Sequence, residues 1–180
     1  ADYLGWPEGE RWEIMDGTAY MQAAPSPIHQ EILGGLYVQF YNYLLNKPCK
    51  VYQAPFCVKL LDGSEKQNKD IKKVIEPDIT IICDQSKIDE KGCNGAPDLI
   101  IEITSPSSAK MEKLIKFKQY KKACVKEYWI VEPDIRLVSV FVLQDNQSYG
   151  RPEIYCDKDN LKVSIFPDLE IDLERVFSIG

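Results

Sequence analysis

The chain has 180 residues, of which 44% are hydrophobic and 11% aromatic, enough for one well-filled core and too few for two. We therefore expect a single domain over residues 1–180. The formal net charge of −6 argues against a broad nucleic-acid-binding surface, because lysine and arginine supply most of the affinity for phosphate.

The sequence also argues against export and membrane insertion. No run reaches the length of a membrane span, and the first residues lack a basic-then-apolar signal pattern, so we expect a cytoplasmic protein with no membrane partner. The cysteines form no CxxC pair, which disfavours structural zinc, and we interpret them as reduced. An even count also permits disulfides in a secreted chain. The six are Cys49, Cys57, Cys83, Cys93, Cys124 and Cys156.

The first elements in chain order are a hairpin and a helix. Strand-like residues 11–15 and 18–21 flank Asp16-Gly17, a dipeptide suited to a tight turn because both positions tolerate positive φ. Ser26 and Pro27 then favour the N-cap and the first position of a helix that continues to about Asn46. Gly34-Gly35 weakens this helix locally, and we expect the pair to let it lie close against the sheet.

Two strands separated by a polar loop follow this helix. Residues 50–60 alternate loosely, residues 62–73 are charged and typical of a solvated loop, and residues 74–83 contain an apolar run with acids at its entrance. Residues 84–94 indicate a polar connection with at most one helical turn.

The most apolar stretch, residues 96–106, reads Ala-Pro-Asp-Leu-Ile-Ile-Glu-Ile-Thr-Ser-Pro and predicts a buried strand bounded by prolines. Glu102 is the exception, because a carboxylate in such a run is costly to desolvate unless a cation or strong hydrogen-bond donors meet it. The alternative is a structural carboxylate at the strand end, reaching water or paired with a lysine.

The second half predicts one more helix and several short strands. The helix covers residues 109–124, within a segment that carries seven lysines between Lys110 and Lys126 and so forms a local basic patch. Strands are expected at residues 128–131, 136–143, 153–155 and 162–165, with a short final segment at 168–177. This order favours a mixed sheet flanked by helices, of the α/β class, or α+β if the helices share one side.

Spacing along the strands selects a pair of acids for a shared cation. Asp98 lies on the same strand face as Glu102 but about 13 Å away, at roughly 3.3 Å per residue, which is too far for one ion. Asp78, at the start of the preceding strand, would lie beside Glu102 if the two strands are neighbours about 4.8 Å apart. Asp78 and Glu102 are therefore our candidate ligands for a divalent metal.

A cation beside such a pair would offset charge on a phosphate. Thr104, two residues beyond Glu102 on the same face, is not a lysine. The helix that follows places four side chains on one side at 100° per residue, namely Lys113, Lys116, Tyr120 and Cys124. A lysine from this helix is therefore the candidate to supply the cation that Thr104 cannot. The alternative for Lys116 is an ammonium that reaches water, or an exposed ion pair with Glu112.

The start of the first helix adds two further candidates. Glu31 is a candidate extra metal ligand. His29, the only histidine, is a candidate general base, although a lone histidine at a helix start is more often structural.

Taken together, the order and spacing of these segments resemble the Uma-two (Uma2) family of the PD-(D/E)XK nuclease-like superfamily. The likeness rests on residues 12–17, 25–30, 76–78, 96–107 and 116–120, followed by 127–131. It implies a restriction-endonuclease-like core with N- and C-terminal hairpin strands. It also implies catalytic roles for Asp78, Glu102 and Lys116, and Mg²⁺, with Mn²⁺ as a substitute, held by Asp78 and Glu102. Thr104 occupies the position of the superfamily lysine, for which Lys116 is the replacement.

Three functional hypotheses follow. The first is a metal-dependent endonuclease that hydrolyses DNA phosphodiester bonds. The second is a non-catalytic nucleic-acid-binding or homodimeric assembly module on an inactivated nuclease fold, suggested by the acidic balance and by Thr104. The third is a hydrolase acting on a non-nucleic phosphate, which the lack of a phosphate-binding loop disfavours.

Overall fold

Helices and strands are numbered in chain order in the computed structural model, which describes residues 12–61, 73–105 and 111–178, apart from the side chain of Glu112. The strands are β1 Trp12–Met15, β2 Thr18–Met21, β3 Lys50–Gln53, β4 Val58–Lys59, β5 Val74–Ile75, β6 Ile79–Ile82, β7 Ile88–Asp89, β8 Gly92–Asn94, β9 Leu99–Ile103, β10 Glu127–Glu132, β11 Leu137–Val142, β12 Glu153–Cys156, β13 Asn160–Lys162 and β14 Glu170–Asp172. The helices are α1 Pro27–Leu44, α2 Phe117–Lys122 and α3 Leu173–Phe177, with a π-helical segment Met111–Lys116 leading into α2 and 3₁₀ turns at Gln85–Lys87 and Pro133–Ile135.

A six-stranded mixed sheet in the order β12-β11-β10-β9-β6-β3 occupies the centre of the molecule. Strands β9 and β10 are parallel, and the other neighbours in this sheet are antiparallel. A parallel pair needs a long crossover connection, and the segment from β9 to β10 contains the π-helical segment and α2. A second sheet runs β2-β1-β5-β4-β8-β7, and β13 pairs with β14.

The two faces of the central sheet support two separate apolar cores. Side chains alternate along a strand, so Ile101 and Ile103 face one way and Ile100 and Glu102 the other. Ile101 and Ile103 belong to the core that includes buried residues of α1 and α3. Ile100 belongs to the core that includes Tyr120 of α2. Glu102 therefore projects towards the α2 side of the sheet.

The structure confirms the predicted N-terminal hairpin and the start of α1. Asp16 and Gly17 both have positive φ in the turn between β1 and β2. Ser26 Oγ accepts a hydrogen bond from the backbone N–H of His29 and so caps α1, with Pro27 in its first turn. The close approach at Gly35 is to α3, not to the sheet as we expected, because a Cβ there would lie 3.2 Å from Cα of Val176.

Several predicted strands are divided in the structure. The single strands expected at 50–60 and 74–83 are each two strands, separated at Pro55 and Pro77, which have no N–H for a ladder hydrogen bond. The 84–94 connection contains β7 and β8 besides its 3₁₀ turn, and the strand expected at 162–165 lies earlier, at β13. The predicted loop at 62–73 falls outside the described residues except for Lys73.

The expectation that all cysteines are reduced is wrong for one pair. Cys49 and Cys83 form a disulfide, whereas Cys93, Cys124 and Cys156 are free thiols. Lys50 pairs with Ile82 across β3 and β6, so the next positions in register, Cys49 and Cys83, are brought side by side. Within the described residues, no helix combines the length and apolar character that crossing a bilayer requires.

Candidate active site

A cleft of about 500 Å³ opens beside the end of β9. Its walls come from the β1–β2 hairpin, the segment leading into α1, the start of β6 and the π-helical segment. The ionisable side chains among its described lining residues are Glu13, Tyr20, His29, Glu76, Asp78, Glu102, Lys116 and Asp134. Lys116 is the only lysine or arginine in that lining, so the cleft is strongly acidic.

Strand register brings Asp78 and Glu102 together in this cleft. Ile79 pairs with Ile101 in the antiparallel β6–β9 ladder, so Asp78, one position earlier, falls opposite Glu102 on the same face of the sheet. Side chains in such opposed positions are close neighbours. The spatial relationship that the spacing argument requires is therefore present.

Two described contacts fix the carboxylate of Asp78. Its Oδ2 accepts a hydrogen bond of 2.7 Å from the backbone N–H of Ile103 and lies 3.1 Å from Nε2 of His29. Nδ1 of His29 is buried and has no hydrogen-bond partner among the described residues. An imidazole that donates through Nε2 gives this oxygen of Asp78 a second hydrogen-bond donor.

Glu102 is only 2% exposed and is met by two side chains from the following helical region. Lys116 Nζ lies 3.0 Å from Glu102 Oε1, and the hydroxyl of Tyr120 donates a hydrogen bond to the same oxygen. Lys116 and Tyr120 are four residues apart, as the helical spacing predicted, and both reach Glu102. The alternative of an ammonium extended into water is wrong for Lys116, which is itself 2% exposed.

The structure adds Glu13, which our sequence analysis did not select. Glu13 is 3% exposed, and its Oε1 lies 2.9 Å from Lys116 Nζ and accepts a 3.0 Å hydrogen bond from the backbone N–H of Glu76. The available signal was the alternation in β1, where Glu13 and Met15 are the two buried positions. A glutamate at an inward-facing strand position indicates a buried, paired carboxylate.

Burial and charge also determine the state of Tyr120. Desolvation, followed by the nearby carboxylates of Glu102 and Glu13, raises the pKa of Tyr120 well above its ordinary value. The phenol therefore keeps its proton at neutral pH and acts as a hydrogen-bond donor to Glu102.

Other sequence candidates lie elsewhere or serve other contacts. Asp98 accepts a hydrogen bond from the backbone N–H of Cys83 and pairs with Lys126, in agreement with its exclusion as a partner of Glu102. Thr104 lines the cleft but donates its hydroxyl to the carbonyl of Val131. The side chain of Glu31 is exposed and is not among the described residues that line the cleft, and its role as a ligand stays a prediction. The predicted pair of Glu112 with Lys116 involves a side chain outside the described residues.

Asp78 and Glu102 offer carboxylate oxygens, which are ligands of the kind that Mg²⁺ takes. No group of three or more histidine, cysteine or acidic side chains with metal-site geometry occurs among the described residues. Mg²⁺ retains several waters and needs only one or two carboxylates together with substrate oxygens. Three acids, Glu13, Asp78 and Glu102, face one lysine, Lys116, so formal charges leave an excess of two negative charges that one divalent cation would balance.

Comparisons with known proteins give the family and the fold of the chain. The family model Uma2, described as "Putative restriction endonuclease", matches residues 1–174. A crystal structure described as "a putative nuclease belonging to DUF820", from Anabaena variabilis, superimposes with a TM-score of 0.76 at 19% identity, over 98% of this chain and 95% of that one. At this identity the likeness establishes the fold alone, a mixed α/β nuclease-like fold.

One curated relative extends the comparison. An uncharacterized protein of Synechocystis sp. is 26% identical over 121 residues, which is 66% of this chain. The match spans 60% of that protein's own length.

Proposed function

Since this chain belongs to the Uma2 family, we propose that it is a metal-dependent endonuclease that hydrolyses DNA phosphodiester bonds. The observation that carries the proposal is that Asp78 and Glu102 lie opposite one another on adjacent strands, in the lining of a cleft that also contains Lys116. We assign Mg²⁺ to the two carboxylates, with Mn²⁺ as a substitute. When bound, the ion would activate a water nucleophile and stabilise charge on the scissile phosphate.

The residues of the chain have separate tasks in this proposal. Asp78 and Glu102 supply oxygen ligands, and the hydrogen bonds from Ile103 and His29 hold Asp78 in a single orientation. Lys116 places a positive charge next to Glu102, where it can assist at the attacking water or at a phosphate oxygen. Tyr120 donates to Glu102 and restricts its rotamer.

Charge on the neighbouring helix supports a nucleic-acid partner. Lys118 and Lys122 of α2 are exposed and four residues apart, so they lie on one face of the helix that follows Lys116. Exposed lysines contact phosphate groups without reading sequence. The acidic cleft itself would repel a polyanion, which makes a bound divalent cation a requirement for substrate to enter.

The experiment is a plasmid cleavage assay with the purified chain and added Mg²⁺ or Mn²⁺. We expect cleavage that chelation stops, and loss of cleavage in Glu102→Ala and in the isosteric Glu102→Gln. Glu170→Gln, an exposed carboxamide substitution on β14, is the matched control and keeps full activity. Undiminished cleavage by pure Glu102→Ala protein would contradict the proposal.

A non-catalytic module on the same fold is the second candidate. Two observations favour it: Thr104 stands where the superfamily lysine is expected, and the ammonium of Lys116 is already paired with two carboxylates. Calorimetric titration with millimolar Mn²⁺ separates the two candidates, since only the nuclease requires metal binding. Homodimer formation also stays a prediction, which light scattering of the purified chain would test.

A cytoplasmic location likewise stays a proposal. Reduced cysteines are typical of cytoplasmic proteins, and the Cys49–Cys83 disulfide removes that support for two of the six.

A further inference from the structure

The buried carboxylate of Glu13 has no role in the proposed reaction as described so far. We propose that Glu13 is a positioning residue that serves as the counter-ion of Lys116 and thereby leaves Glu102 able to bind a divalent cation. This inference depends on the proposed function, because it concerns the metal affinity of the same site.

The geometry shows one ammonium shared between two acids. Lys116 Nζ lies 2.9 Å from Glu13 Oε1 and 3.0 Å from Glu102 Oε1. The two distances are nearly equal, so both carboxylates share the positive charge of the ammonium. Both carboxylates and the ammonium are at most 3% exposed, so water screens the three charges little.

Glu13 is held in place independently of Lys116. The backbone N–H of Glu76, two residues before Asp78, donates to the same Glu13 oxygen. Glu13 itself belongs to β1 in the second sheet, whereas Glu102 belongs to β9 in the central sheet. The N-terminal hairpin therefore places a second carboxylate in contact with Lys116.

The charges explain why a nuclease site would need this arrangement. A lysine paired with Glu102 alone would neutralise it, and a divalent cation would have to compete with the ammonium for the same oxygen. With Glu13 present, the group formed by Glu13, Lys116 and Glu102 keeps one net negative charge, to which Asp78 adds a second. Removing the charge of Glu13 should therefore weaken metal binding even though Glu13 is not proposed as a ligand.

The test measures Mn²⁺ affinity by calorimetry for the wild type, Glu13→Gln, Lys116→Gln and the double variant. We expect Glu13→Gln to weaken binding about tenfold or more, and Lys116→Gln to bind more tightly than the wild type. The double variant, which has the wild-type net charge, should return to within about threefold of the wild-type affinity. Glu170→Gln removes one exposed carboxylate far from Lys116 in sequence and should change the affinity less than about twofold.

The double variant distinguishes a charge role from a structural one. If Glu13 only supported the fold, adding Lys116→Gln would leave binding as weak as in Glu13→Gln or weaker, which would overturn the inference. Unchanged affinity in Glu13→Gln would overturn it as well, while leaving the nuclease proposal intact. A wild-type protein that binds no Mn²⁺ would instead remove the proposed function.

A second comparison is available if Glu13→Gln does not fold. Lys116→Gln should then bind Mn²⁺ more tightly than the double variant, because the two differ only in the charge of residue 13. Equal affinities of these two proteins would overturn the inference.

Discussion

The hydroxyl of Tyr120 donates a hydrogen bond to Oε1 of Glu102, and both side chains are buried. The same glutamate oxygen contacts Lys116, so two donors from one helical turn hold a single carboxylate. This arrangement restricts the rotamer of Glu102. Pre-oriented ligands of this kind favour metal binding because less side-chain freedom is lost.

Tyr120→Phe should therefore impair metal binding and cleavage more than it impairs the fold. The ring contact with Tyr128, at a centroid distance of 4.8 Å, survives the substitution. We expect a loss of stability of about 1–2 kcal/mol, with lower Mn²⁺ affinity and slower cleavage. Calorimetry and the plasmid assay provide the measurements.

Tyr149→Phe is the control for that substitution. The hydroxyl of Tyr149 donates to the carbonyl of Val125, and Tyr149 is not among the described residues that line the cleft. Tyr149→Phe should lower the free energy of unfolding about as much as Tyr120→Phe does, and should leave Mn²⁺ affinity unchanged. Equal losses of affinity in the two variants would show that Tyr120 acts only through the fold.

Removal of the Lys116 ammonium should destabilise the protein strongly. Lys116→Met leaves Glu13 and Glu102 as neighbouring buried acids without the cation between them, at a cost of about 3–5 kcal/mol. Adding Glu13→Gln should recover part of this loss, because it removes one of the two like charges. Urea unfolding at neutral pH measures both effects.

Lys113→Met is the matched control in the same helical segment. Lys113 pairs with Glu132 at 2.5 Å but is 43% exposed, so its loss should cost about 1 kcal/mol or less. A similar loss of stability for Lys113→Met and Lys116→Met would contradict the importance of burial at Lys116.

Glu127 predicts a pH dependence of stability away from the cleft. Its two oxygens accept hydrogen bonds from the indole N–H of Trp129 and the backbone N–H of Ile165. Burial nevertheless raises the pKa of Glu127 above its ordinary value of 4.5, because the hydrogen bonds offset desolvation only in part. The folded state therefore holds the proton more tightly than the unfolded state does.

The contribution of Glu127 should be fully present below pH 4.5 and be lost as the pH rises through its raised folded value. Glu127→Gln removes this dependence, so the stability of the wild type relative to the variant should fall as the pH rises from 4.5. The quantity to measure is the change of this stability difference with pH. Its absolute size is less informative, because glutamine offers one acceptor oxygen in place of two. Urea unfolding over a pH series tests it, and a constant difference would contradict the raised pKa.

The free cysteines should differ in reactivity. Desolvation raises the pKa of the buried Cys93 thiol to about 11, whereas Cys124 and Cys156 are exposed. Iodoacetamide at mildly alkaline pH should modify Cys124 and Cys156 in the native protein and reach Cys93 only after unfolding, because the thiolate is the nucleophile. Mass spectrometry of peptides measures this, and rapid native labelling of Cys93 would contradict its burial.

Local sequence patterns predicted the elements that depend only on residues close together in the chain. The Asp16-Gly17 turn, the Ser26 cap and the apolar β9 strand are of this kind, and the structure contains all three. The breaks at Pro55 and Pro77 interrupt stretches whose apolar pattern continues across the proline, so that pattern alone predicts one strand where the missing N–H makes two.

The sequence by itself determined a sheet flanked by helices, the acids Asp78 and Glu102 in two strands, and the lysine and tyrosine on one helix side, because periodicity specifies which residues share a face. That the two strands are neighbours is known only from the structure. Only the tertiary structure decided that Glu13 from the N-terminal hairpin reaches Lys116 and that His29 contacts Asp78. Those contacts join separate elements, and their distances depend on how the two sheets and α1 pack, which no local spacing encodes.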